Sequence, residues 1–304
     1  MATINNRALV PQASTINGVD AGGLMQARIQ QGFDNVIQSP VDGLQFPLED
    51  KSVEFVRGTV VTQDWTKVID ILTGTVGTFP FYERKSGGDD VDGWIKHTIT
   101  NPVIHKMGLR FTKGGFCAAT FTFECRASDV AIGFADMYTL LDAQAAPDYI
   151  SAARGGFRLI SSVFDPDGTP VSIYHVLSVE LILTMALFTR CDDGDTGYTC
   201  CEALFDAMIC TGSIKFDDSS IAANQLKGQQ LLALAANSLN LTVAQSQGAA
   251  NKVLTIAGVS FKELSRESAA TTKNPAGHTL SFAIANNTAN PITLSGTDKL
   301  LTIA

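Results

Sequence analysis

Slid against itself, the chain matches at one long offset, and that match constrains its architecture more than any other feature. The segment GTVVTQDWTKVIDILTG at 58–74 aligns without gaps on GSIKFDDSSIAANQLKG at 212–228, pairing Gly58 with Gly212, Asp64 with Asp218, Leu72 with Leu226 and Gly74 with Gly228. The offset, 154, is half of the 304 residues, as a duplicated domain requires. Each segment reads as a short β-branched strand, an Asp suited to cap a helix, two to three helical turns and a Gly suited to end them.

The flanks extend the match. Under the same offset the candidate strand 23–31 falls on the middle of the apolar run 173–188. TITNPVIHKM from Thr98 resembles TIAGVSFKEL from Thr255 at an offset of 157, and Gly115 pairs with Gly277 at 162. Loop insertions account for such drift. The expectation is two β-rich domains, 1–150 with an N-terminal arm and 151–304, with the boundary in AQAAPDYISAARGG at 143–156.

Val103, His105, Met107, Leu109 and Phe111 alternate with Ile104, Lys106, Gly108, Arg110 and Thr112, which is the period of a half-buried strand. Lys113-Gly114-Gly115 then turns the chain, and Cys117, Ala119, Phe121, Phe123 and Cys125 share one face of the return strand. The second half repeats the pattern with Leu239, Leu241 and Val243, and with Leu280, Phe282 and Ile284. The run SIYHVLSVELILTMALF at 172–188 is apolar on both faces. Its Ile, Val and Thr content favours a strand over a buried helix, and the turn-rich CDDGDTGYTCC at 191–201 makes it one arm of a long hairpin. Antiparallel sandwich or barrel patterning with little helix follows.

Composition narrows the function. Hydrophobic residues make up 45% and charged residues 17%, so the chain is ordered and its low surface charge suits a surface covered by partners. A net charge of −8 and a pI of about 5.0 disfavour a phosphate-gripping nucleic-acid clamp. The start, MATINNRALVPQAST, lacks an apolar signal core, which places synthesis in the cytoplasm, and 173–188 is short of a membrane span. Six cysteines without an export signal are expected to stay reduced.

Residues that carry chemistry are present but do not form a set. His97, His105, His175 and His278 are scattered and accompany no nucleophile motif, so they read as core or interface residues. Cys191, Cys200, Cys201 and Cys210 lack the short paired spacing of a zinc module. The acidic turns DPDG at 165–168 and DDGD at 192–195 lack the closing glutamate of a calcium loop. Glycine pairs at 22–23, 87–88, 114–115 and 155–156 belong to no phosphate-binding fingerprint. The expectation is a non-enzyme with no catalytic, cofactor-binding or metal residues.

This organisation resembles the tail tube proteins of long-tailed and contractile-tailed phages and the related hub and injection-machine tubes. The resemblance covers both halves from about Thr15 to Asn286 and rests on domain order more than on a motif. It implies tandem tail-tube-like β-sandwich or half-barrel domains, each with one flanking helix, here 64–73 and 218–227, and a long hairpin, here 23–31 with 53–61 and 173–188 with 205–216. The loop at 33–50 corresponds to the one such proteins use to contact the next ring. By that resemblance the chain is a virion tail protein that forms trimeric, pseudo-sixfold rings stacked as a tube. A tape-measure protein would lie in the lumen and terminator and tail-tip proteins at the ends, while DNA passes without specific binding and no membrane is involved. A tail-tip or baseplate hub present as one ring is the alternative within the virion. A receptor- or carbohydrate-binding β-sandwich is the alternative outside that class, although it has only Trp65 and Trp94 to work with.

Overall fold

The computed structural model describes residues 7–12, 15–16, 19–20, 24–38, 48–62, 77–85, 91–115, 117–126, 134–147, 157–165, 171–173, 176–190, 200–216, 231–233, 237–245, 252–267, 277–284, 292–294 and 299–301. These are mainly β. The strands of the first half are β1 (Arg7–Gln12), β2 (Thr15–Ile16), β3 (Val19–Asp20), β4 (Leu24–Gln38), β5 (Leu48–Thr62), β6 (Thr78–Lys85), β7 (Trp94–Thr100), β8 (Val103–Thr112), β9 (Ala118–Arg126) and β10 (Tyr138–Gln144). A single turn of helix, α1 (Phe134–Met137), precedes the last of them. The second half has β11 (Phe157–Asp165), β12 (Val171–Ile173), β13 (Val176–Arg190), β14 (Cys200–Phe216), β15 (Asn237–Gln245), β16 (Lys252–Glu267), β17 (Gly277–Ile284), β18 (Ile292–Leu294) and β19 (Lys299–Leu301).

One sheet runs through both halves in the order β12-β11-β15-β16-β17-β14-β13-β8-β9-β5-β4, with β18 and β19 attached at β16. A second sheet has the order β1-β6-β7-β10, and β2 with β3 forms a small hairpin. The two main sheets meet through Phe79 of β6 and Phe123 of β9, whose rings lie edge to face at 5.8 Å.

Much of the pairing of one half recurs in the other, as far as Gly32 opposite Phe55 and Thr184 opposite Ile209, beyond which the two hairpins shift register differently. In the first long hairpin Ile29 faces Gly58 and Leu24 faces Thr62, with a bulge between Leu24 and Gln26. In the second, Leu181 faces Gly212 and Val176 faces Phe216, with a bulge between Val176 and Ser178. The next strand repeats too: Gly58 faces Phe123 and Gly212 faces Phe282. Beyond it, a bulge between Ile104 and Lys106 opposite β9 matches one between Phe261 and Glu263 opposite β17. Bulges place single extra residues, so their recurrence at corresponding sites is a strong sign of common design.

The same correspondence explains why β7 and β8 are two strands while β16 is one. Asn101 at the β7–β8 break has φ 48, and Gly258, at the same offset of 157 that the sequence shows, has φ 69. Both positions need left-handed backbone, which Gly and Asn supply at least cost. In the first half Pro102 follows and removes a ladder donor, so pairing stops; Val259 continues it.

Glycine at 58 and 212 is required by close approach. A Cβ on Gly58 would press on the Arg28 carbonyl and the Phe123 ring, and one on Gly212 on the Glu180 carbonyl and the Phe282 ring. Each hairpin thereby lays a phenylalanine across its own glycine, and both rings are buried.

The structure also corrects several expectations. The bulge at Ile104/Lys106 shifts the parity of β8, so Ile104 is buried while Val103 and His105 are only half-buried, and the buried row resumes at Met107, Leu109 and Phe111. Gly277 corresponds by register to Ala118 and not to Gly115, because Glu267 faces Gly277 as Arg110 faces Ala118. The hairpin offset on β4 and β13 is 152, two short of that on β5 and β14. Both ends of the supposed loop at 33–50 are strand, since pairing continues to Gln38 opposite Leu48, and 39–47 lie outside the described residues. Likewise Arg190 faces Cys200, so that turn is shorter than 191–201. Strand is confirmed for 176–190, and the expected flanking helices at 64–73 and 218–227 lie outside the described residues.

Because nothing but glycine fits beneath the rings, Gly58→Ala and Gly212→Ala are each expected to destabilise the fold by about 1–3 kcal/mol. Urea unfolding followed by tryptophan fluorescence checks this. Gly108→Ala, whose nearest neighbour is 4.0 Å from an added Cβ, serves as the mild control.

Candidate assembly interface

The two halves are joined by a strand pair. Seven residues of β13, from Ser178 opposite Thr112 to Thr184 opposite Lys106, pair antiparallel with β8. One face of the joint is apolar: Val179 faces Phe111, Leu181 faces Leu109 and Leu183 faces Met107, all buried. On the other face Glu180 lies opposite Arg110, with Nε to Oε1 at 3.3 Å, and both side chains are open to solvent. Six buried apolar side chains at roughly 1.5–3 kcal/mol each outweigh an exposed cross-strand pair of about 0.2–1 kcal/mol. Adhesion therefore comes from the buried face, and the ion pair serves register.

Two edges equivalent to this joint have no partner strand among the described residues. β4, the counterpart of β13, pairs only with β5 and ends the large sheet. The C-terminal part of β16, the counterpart of β8, pairs with β17, whereas its pairing with β15 stops at Val259. Along these edges Gln26, Arg28, Gln30, Gln31, Glu263 and Ser265 are exposed, and Ala27, Ile29 and Leu264 on the core-facing parity are only half-buried. A long edge of unpaired amides and carbonyls is a ready template for another strand, and natural sheets normally shorten or cover it. β4 is 15 residues long.

The titratable residues singled out in the sequence are dispersed by the fold. His97 is buried, stacked on Phe81 at 4.4 Å, with Nδ1 2.7 Å from the Tyr138 hydroxyl and Nε2 3.4 Å from Glu83 Oε2. Sequence reading missed this Tyr-His-Glu row, whose members are joined only by strand pairing. By register the matching positions of the second half are Ile292, Leu254 and Val243. Of these, Ile292 and Leu254 are buried, apolar side chains where the first half has Tyr138 and His97. His278 is buried and stacked on Phe216 at 5.9 Å. His105 is half-buried, and burial holds its pKa below the usual value, with Glu124 raising it and Lys106 lowering it. His175 lies outside the described residues.

Among the described residues no three metal-ligating side chains come together. Cys200 and Cys201 open β14, and Cys201 faces Thr189 while Cys210 faces Leu183, six residues of β13 away and roughly 20 Å at strand rise. Cys191, most of DPDG and all of DDGD lie outside the described residues, as do the glycine pairs other than 114–115, which forms the β8–β9 turn. Trp94 is fully buried, with the Arg84 guanidinium 5.7 Å from its ring centre, so it offers no sugar-stacking face; Trp65 lies outside the described residues. No helix among the described residues is long and apolar enough to cross a membrane.

The fold and its edges thus define a mainly-β chain in which much of the strand pairing recurs and two corresponding sheet edges have no partner strand among the described residues. In comparison with known proteins, no family model and no curated protein matches the chain.

Cys117 and Cys125 are free and buried, and burial pushes their thiol pKa values up to about 12 and about 11. Both are expected to resist iodoacetamide at pH 8 in the folded protein and to react after denaturation, as mass spectrometry would read. The unfolded chain releases these protons near 9 while the folded one retains them. Their contribution to stability is therefore intact below pH 9 and is lost as pH rises through the interval up to about 12. Denaturation midpoints between pH 8 and 10.5 should fall less in a Cys117→Ala/Cys125→Ala variant.

Proposed function

We propose that this chain is a structural subunit of a phage-type tail tube, built from two fused copies of one tube-forming β domain, 1–150 and 151–304. The observation that carries the reading is the edge pattern. One hairpin, β13–β14, is already joined to the neighbouring copy within the chain, and the equivalent hairpin, β4–β5, is left with an open edge.

A surface that pairs with a different surface of the next copy forms a closed ring when its rotation closes. With two equivalent hairpins per chain, three chains would supply six in pseudo-sixfold order. Rings stacked head to tail then make a tube. A net charge of −8 suits a conduit for DNA, since acidic walls repel phosphate and forgo the counterion release that makes basic surfaces adhesive. The tape-measure, terminator and tail-tip partners expected from the family resemblance belong to the same proposal, as does location in the virion tail.

Concentrated purified protein is expected to form rings or tubes with a central hole under negative-stain electron microscopy. A monodisperse monomer at every concentration would overturn the reading. Tens of copies per particle identify the tube, and about one ring of copies identifies a hub.

A further inference from the structure

We infer that successive subunits join by pairing β4 of one chain with the C-terminal part of β16 of the next, in the register of the internal β13–β8 joint, with Arg28 opposite Glu267. This deepens the assembly reading above and rests on it. The register follows from the two sets of correspondences. Offset 152 carries Glu180 onto Arg28, and offset 157 carries Arg110 onto Glu267. The bulges beside each strand coincide, so backbone donors and acceptors on the open edges recur in the phase that β13 and β8 use.

The internal joint sets Glu180 of β13 against Arg110 of β8. The external joint sets Arg28 of β4 against Glu267 of β16, the same pair with its signs exchanged. Opposite charges are thus restored at the corresponding position by residues the duplication did not preserve. Leu183 opposite Met107 becomes Gln31 opposite Leu264, and Thr184 opposite Lys106 becomes Gly32 opposite Glu263. The apolar face of the new joint is thinner, since Leu181 opposite Leu109 becomes Ile29 opposite Arg266 and Val179 gives way to Ala27, so electrostatics weighs more in it.

Sign exchange also forbids the wrong partners. If β4 took β8, Arg28 would meet Arg110; if β13 took β16, Glu180 would meet Glu267. Like charges directly opposite one another across strands destabilise the pair. The inversion therefore makes each chain keep its own β13–β8 joint and offer only β4 and β16 to neighbours, which guards against exchange of halves between chains.

The test uses the full chain at low salt, with electron microscopy and light scattering. Arg28→Glu and Glu267→Arg should each raise the concentration needed for assembly, by roughly three- to tenfold per joint. The two together should return it to the wild-type value, which a mere folding defect would not do. A chain carrying both Arg28→Cys and Glu267→Cys should form an oxidised ladder of linked chains, with neither single cysteine doing so. If rings form normally in both single charge variants and no ladder appears, the tube reading stands and this joint is overturned. A cross-link confined within one chain also overturns it. If the wild type never assembles, both readings fall.

Discussion

Every backbone amide and carbonyl in a strand needs a partner, and in this molecule that requirement decides which parts of the chain can end at its surface. The long hairpins supply strands too extended to be covered by a few loop residues. One of them is satisfied inside the chain by β8, through a buried row from Val179 to Leu183 packed on Phe111, Leu109 and Met107. The other is satisfied on one side only. The large sheet therefore contains one paired joint and, among the described residues, two corresponding edges without a partner strand.

The two halves match in much of their strand pairing and differ in their side chains. The shared items are those that backbone geometry will not release: glycine under a phenylalanine ring at 58 and 212, left-handed backbone at 101 and 258, and bulges at corresponding registers. The changed items are side chains. His97 and Tyr138 stand where Leu254 and Ile292 are buried in the other half, so a polar pair and an apolar pair serve corresponding positions. The Glu180–Arg110 pair is exposed and so of little consequence to the folded monomer, and in the proposed joint between chains its inversion would separate right from wrong partners.

Much of the strand framework was legible from residue alternation. Cys117, Ala119, Phe121, Phe123 and Cys125 are all buried as their shared parity requires, and Leu239, Leu241, Leu280, Phe282 and Ile284 likewise. Where alternation failed, a bulge was responsible: one extra residue between Ile104 and Lys106 removed Val103 and His105 from the buried row. Periodicity has no means of announcing such an insertion, because the residues on either side still alternate. The loop at 33–50 was overread for a related reason, as its Pro, Asp and Gly mark only its middle while pairing persists to Gln38 and Leu48.

Much of the strand pattern and the internal repeat could be read from the sequence by itself, since each is written in residue spacing along one chain. Only the tertiary structure decided that β13 crosses to β8 and that, among the described residues, β4 and the end of β16 have no further partner strand. The physical reason is that strand pairing is non-local. An edge is defined by what does not lie beside it, and that becomes known only when all the other strands have found their neighbours.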